Sequence, residues 1–161
     1  MSLRTGAQVA TATAPIINPN NLKIEGWYCL DKFTKDPLIL LSQDVRDVVN
    51  QGIVINDHEV LASPEELIRL LPILELQFEL LGKPVFTTNK RRLGKLNDYA
   101  VDMPSLYVKK LYVSQSIMKS FSGGSLSVDR DQVIEITQRK VIIADPLQPN
   151  KVKSRPMTAP A

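Results

Sequence analysis

Residues Leu80–Asp102 read LLGKPVFTTNKRRLGKLNDYAVD, and this stretch decides the fold class. Val85-Phe86 is a short β-prone pair, Thr88-Asn89-Lys90-Arg91-Arg92 is a polar turn, and Leu93 resumes the apolar pattern. Strand, polar turn and strand in that order read as a hairpin. Toward the C-terminus, Leu106-Tyr107-Val108 and Leu111-Tyr112-Val113 flank Lys109-Lys110, and Lys140-Val141-Ile142-Ile143-Ala144 reads as a closing strand. Toward the N-terminus, Leu38-Ile39-Leu40-Leu41 is a continuous apolar run of strand length. Gly52-Ile53-Val54-Ile55 then leads through Asn56-Asp57-His58-Glu59 to Val60-Leu61, again strand, turn and strand.

The hairpin region has a counterpart earlier in the chain. Gly6-Ala7-Gln8-Val9-Ala10-Thr11 resembles Gly82-Lys83-Pro84-Val85-Phe86-Thr87 at a spacing of 76 residues. At a spacing of 72, Lys23 matches Lys95, Trp27 matches Tyr99, Cys29 matches Val101, and Ile39–Gln43 matches Leu111–Gln115. At 73, Ile55 matches Val128, Asn56 matches Asp129, and Val60-Leu61 matches Val133-Ile134. The order and near-constant spacing of these matches predict two related halves, because a shared fold preserves apolar, turn and aromatic positions before anything else.

Between the halves a helix is signalled. Ser63-Pro64-Glu65-Glu66 supplies an N-cap, a proline at the first helical position and a glutamate in capping-box register. Leu67, Ile68, Leu70 and Leu71 follow, and Pro72 is expected to end or kink the helix. Leu74–Leu80 alternates strictly as LELQFEL, which predicts a strand. The expected organisation is therefore a first half over 1–72, a second half over 73–145, and a tail over 146–161. That tail, PLQPNKVKSRPMTAPA, has prolines and cations but no acid, a composition expected to be disordered.

Composition narrows the chemistry. Apolar residues make up 43% and charged residues 23%, enough to build a core in a chain of 161 residues. The net charge of +3 and pI near 9.0 permit an acidic partner without requiring one. No run approaches the ~20 apolar residues of a membrane span, and the N-terminal stretch has no apolar segment of signal-peptide length, so a cytoplasmic protein is expected.

The chain has a single cysteine, Cys29, and a single histidine, His58. A thiol nucleophile needs a histidine to activate it, and Cys29 matches Val101 in the repeat, which predicts a buried position. His58 lies in a run of turn residues without a second histidine and reads as part of a structural polar turn. Gly123-Gly124 lacks the lysine and glycine pattern of a phosphate loop and reads as a hairpin or bulge. Trp27 and Tyr99, matched across the halves, read as core aromatics. No catalytic residue, metal site or cofactor site is expected.

The remaining feature is positive charge. Lys83, Lys90, Arg91, Arg92 and Lys95 fall within one acid-free stretch, and Lys109, Lys110, Lys151, Lys153 and Arg155 follow in the same half. These are the candidate partner or RNA contacts. With aromatics at only 6%, no basic–aromatic interleaving is visible along the chain.

The motifs Leu81-Gly82-Lys83-Pro84-Val85 and Leu93-Gly94-Lys95-Leu96, with Asp98 and Asp102 around an apolar strand and a later Val133-Ile134, resemble a PRC-barrel domain. The likeness spans about residues 78–145 and extends faintly to 3–70, where Asn18-Pro19-Asn20-Asn21 stands in the turn and the second glycine is missing. The resemblance implies a fold of two small, strongly bent β-barrels packed together, without a shared active site. It also implies work by macromolecular contact: family members include the cytoplasmic domain of a photosynthetic reaction-centre subunit and a domain of a ribosome maturation factor. The expectation is a non-catalytic binding or scaffold module with a protein partner. The alternative is an RNA- or ribosome-associated factor, and the oligomeric state is left open.

Overall fold

The computed structural model describes residues 1–115 and 125–145. Gly123-Gly124 and the tail from residue 146, with Lys151, Lys153 and Arg155, lie outside the described residues. The chain divides into two compact units. Met1–Phe78 and Met103–Tyr107 form the first, and Glu79–Asp102 with the described residues from Val108 onward form the second. The secondary structure is mainly β, as the alternating and continuous apolar runs predict.

In the first unit, β1 (Ala10–Ile17), β2 (Ile24–Asp31) and β3 (Pro37–Leu41) make an antiparallel sheet, and β4 (Val45–Val49) and β5 (Gly52–Ile55) make a hairpin. Register explains why Leu38–Leu41 is apolar throughout. Trp27 opposite Leu40 and Cys29 opposite Leu38 face one way, where Cys29 and Leu40 cluster with Val9 and Ile55. Tyr28 opposite Ile39 and Gly26 opposite Leu41 face the other, where Ile39 clusters with Ile16 and Leu70. A strand covered on both faces has no position free to be polar.

The connection to the second unit departs from expectation. Pro64–Glu66 is a single 3-10 turn, without a hydrogen bond from the Ser63 side chain, and the α-helix α1 spans Leu71–Leu76. Pro72 sits in the first turn of α1 instead of ending a helix, because the missing N–H there has no intrahelical acceptor to lose. The predicted strand over Leu74–Leu80 is absent: Leu74 and Leu76 belong to α1, which Gln77 closes in a left-handed conformation. Leu67, Ile73 and Leu74 pack against the Ile16–Ile39–Leu70 cluster, so helical burial outweighs the local alternation.

The second unit is one six-stranded sheet in the order β10-β11-β6-β7-β8-β9. Its strands are β6 (Pro84–Thr87), β7 (Arg92–Asp102), β8 (Tyr107–Ser114), β9 (Ser125–Asp129), β10 (Val133–Ile136) and β11 (Val141–Ile143). Tyr107-Val108 and Leu111-Tyr112-Val113, with Lys109-Lys110 between them, lie on one strand, β8, and Leu106 immediately precedes it. β11 runs parallel to β6, Val141 opposite Val85. Val85, Leu96, Leu111, Val113, Val128, Val141 and Ile143 are at most 1% exposed and form the inner core. Among the described residues none of the sheets closes on itself.

The matched halves share element types. In each, a sheet of successive strands precedes a strand and a 3-10 turn. His58–Val60 is preceded by Asp57, and Arg130–Gln132 by Asp129. They also differ: β8 bonds β9 directly, whereas β5 bonds β4 and Ile39 of β3 pairs with Ala62. Val60 lies in the 3-10 turn, so of the extended chain expected at Val60-Leu61 only Leu61 is extended, and Ala62 after it pairs with Ile39.

Candidate binding surfaces

The groups that carry chemistry in the first unit are committed to holding it together. Asp31, at the end of β2, is buried. Its Oδ2 accepts the Phe33 and Thr34 N–H groups at 3.0 and 2.8 Å and the Thr34 hydroxyl at 3.1 Å, and its Oδ1 bonds His58 Nε2. Asp57, beside His58, accepts from Ser2 Oγ at 3.0 Å and from Arg4 at 3.2 Å. The Thr34 N–H and then His58 hold the Asp31 carboxyl well below the usual carboxylate range. The His58 N–H and then Ser2 lower that of Asp57.

A depressed carboxylate contributes stability that is complete above its unfolded value, near ~3.9, and is lost as pH falls from there through the folded value. Asp31→Asn is therefore expected to lower Tm at pH 5. Below pH ~4 the gap from the native protein should narrow, because the unfolded chain's Asp31 takes up a proton that the folded carboxylate still refuses. Thermal melts at both pH values check this, and a gap that widens toward acid would contradict it.

This network fixes the β2–β3 turn. Lys32 N–H donates to Val9 at 3.0 Å, Asp31 N–H to Asp36 at 2.9 Å, and Lys35 N–H to Asp31 at 3.1 Å. Phe33 stands on the tip with 75% of its surface exposed, the Lys32 ammonium 5.7 Å from its ring centre. Sequence reading missed Phe33. Its local signal is a lone aromatic inside a Asp-Lys-Phe-Thr-Lys-Asp turn, where nothing apolar is needed for folding.

Cys29 is buried, as its match to Val101 predicts, and burial pushes its thiol up. It is expected to resist a thiol-specific reagent such as dithionitrobenzoate in the native state and to react stoichiometrically in denaturant; rapid native labelling would contradict the assignment. The unit also carries an open groove of about 780 Å³ with an apolar floor from Leu41, Leu67, Leu70 and Ile73, flanked by Lys23, Glu25, Glu66 and Arg69. Trp27 packs against the Cys29 cluster, and Tyr99 is partly buried.

The basic residues of the second unit separate. Lys83 is 8% exposed, and its Nζ donates to the Gln138 carbonyl at 2.5 Å; burial lowers its pKa. Arg91 pairs with Asp145 at 3.4 Å, and Asn89 donates to the same carboxylate at 3.2 Å, so the β6–β7 turn is tied to the chain after β11. Lys110 lies opposite Asp129 on β9, with 3.9 Å between their charged atoms. Lys90, Arg92, Lys95 and Lys109 are exposed. Among the described residues neither Arg92 nor Lys95 has an ion-pair partner.

Strand pairing gathers other residues around Arg92 and Lys95. Phe86 is opposite Arg92 on one side and Ile142 on the other, and Pro84 is opposite Lys95. Directly opposed residues share a face, and this face is the one turned away from Val85. The Lys140 ammonium lies 5.9 Å from the Phe86 ring centre. On β8, Tyr112 and Ser114 alternate with the buried Leu111 and Val113 and so point outward too. The basic–aromatic interleaving that the linear sequence lacks exists across strands.

Among the described residues no three His, Cys, Asp or Glu side chains converge as a metal site, and no helix is long and apolar enough to cross a membrane. No protein-family model and no curated protein matches the chain.

Proposed function

We propose that the protein is a non-catalytic cytoplasmic binding module, built from two PRC-barrel-like units, whose first unit engages a protein partner. The observation that carries this reading is Phe33, three-quarters exposed on a turn locked by the buried Asp31 carboxylate. An exposed ring contributes nothing to the core, yet the backbone beneath it is held by two N–H bonds to one carboxylate, which the Thr34 hydroxyl also bonds. Aromatic side chains dominate interface hot spots, and a rigid turn removes much of the ordering cost of binding. Support for the family reading comes from the position of its motif. LGKPV leads into β6, LGKL lies on β7, and Gly82 and Gly94 both have positive φ, at 85° and 154°.

Phe33→Ser is expected to leave Tm nearly unchanged, since an exposed substitution outside the core costs within ~0.5 kcal/mol. It should nevertheless abolish recovery of the partner. Quantitative affinity purification from native lysate with the native protein and the variant side by side checks both. Identical sets of recovered proteins would count against the tip as the contact.

A further inference from the structure

We infer that the outer face of the six-stranded sheet binds single-stranded nucleic acid, stacking bases on Phe86 and Tyr112 and holding phosphates with Arg92, Lys95 and Lys140. This goes beyond the protein-contact reading, which concerns the first unit, and either can fail without the other.

Strand pairing decides which side chains are adjacent on this face. Ile142, Phe86 and Arg92 are consecutive cross-strand neighbours, and Lys95 lies in the next row beside Pro84. Ser114 Oγ donates to the Lys95 carbonyl at 3.2 Å, which ties β8, and with it Tyr112, to the same region. Phe86 on β6 and Tyr112 on β8 are two strands apart, about 10 Å across the sheet, and Tyr112 lies further along the strands as well, since Ser114 and not Tyr112 is level with Lys95. Rings and cations therefore alternate from strand to strand, as bases and phosphates alternate along a single strand of nucleic acid.

Charge on the face is sorted. The outward residues Lys140, Ile142, Phe86, Pro84, Arg92 and Lys95 include no carboxylate. Glu135 ends this row on the edge strand β10, opposite Ile142; Asp129 lies on the other edge strand, β9, opposite Lys110; and Asp98 is exposed further along β7. In the free protein Lys140 occupies the face of the Phe86 ring. A base stacking there takes the ring, and the ammonium moves to the phosphate. Stacking on aromatic rings above a basic sheet tolerates any base sequence, so the recognition is of single strands and not of a motif.

Fluorescence anisotropy of a labelled oligouridine of about 12 nucleotides, titrated with the full chain, tests this. Three phosphate contacts predict a slope of about −2 in log K against log salt, or roughly 20-fold weaker binding at ~200 mM than at ~50 mM salt. Arg92→Gln with Lys95→Gln should flatten the slope. Phe86→Leu should weaken binding by about 5-fold or more with the slope kept. Lys35→Gln, in the first unit, should change nothing, and thermal melts of every variant separate lost binding from lost folding. Equal binding of oligothymidine supports single-strand recognition that does not read the 2′-hydroxyl. The inference is overturned by no binding at ~50 mM salt with protein near ~100 μM, by equal affinity for duplex RNA of the same length, or by indifference to Phe86→Leu. It is also overturned if the face variants break a protein contact while oligonucleotide affinity stays intact.

Discussion

Gly94→Ala is expected to destabilise the second unit by at least about 3 kcal/mol. Gly94 lies on β7 with φ of 154°, and a Cβ there would stand 1.9 Å from the Ser114 carbonyl oxygen and 2.9 Å from its carbon. Both obstacles are backbone atoms of the neighbouring strand, so no rotamer change relieves them. β7 and β8 must separate, disturbing the sheet at the point where Ser114 Oγ also bonds Lys95. Gly82 supplies the comparison. It too has positive φ, at 85°, but a Cβ there meets nothing within 4 Å. Gly82→Ala should therefore cost only the conformational part, about 1–2 kcal/mol. Urea unfolding followed by far-UV circular dichroism measures both; equal losses would show that close approach of the strands is not what glycine serves at 94.

Leu111→Ala is expected to cost about 2–5 kcal/mol. Leu111 has no exposed surface and lies on an interior strand of the sheet opposite Val128, which is itself 1% exposed. Such a site leaves a cavity because the inner face has little freedom to collapse into it. Ile134→Ala removes as much hydrocarbon from a side chain that is 59% exposed on the edge strand β10, and should change stability by no more than ~0.5 kcal/mol. The same denaturation experiment reads both. A Leu111→Ala loss below ~1 kcal/mol would mean that the sheet's inner face is not the core of this unit.

Much of the strand content was legible from local pattern. Leu38–Leu41, Gly52–Ile55, Val85-Phe86 and Val141–Ile143 are strands because short apolar runs bounded by turn residues have few other ways to be buried. The helix was misplaced for a physical reason that is also local. Pro72 was read as a terminator, but proline is equally at home in the first helical turn, and only the cluster of Ile16, Ile39 and Leu70 decides between the two positions. The alternation of Leu74–Leu80 had no sheet to join.

The binding surfaces were less legible because they depend on which elements are neighbours. Lys83 and Arg91 share one acid-free stretch of sequence with Arg92, yet one is buried against the Gln138 carbonyl and the other is paired with Asp145. Lys140, more than forty residues away, lies over Phe86. Linear clustering of charge cannot distinguish these fates. His58 shows the same limit: its position in a polar turn could be read, but its bond to Asp31 joins residues 27 apart, and that bond is part of what presents Phe33.

The proposed function is contact with a protein partner through the first unit. Crosslinking mass spectrometry in native lysate, using an amine-reactive reagent, tests it most directly. Reproducible crosslinks are expected from Lys32 and Lys35, which flank Phe33, to one recurrent protein, and they should be lost in Phe33→Ser protein that melts like the native chain. Crosslinks from these lysines only to abundant background proteins, unchanged by Phe33→Ser, would contradict it.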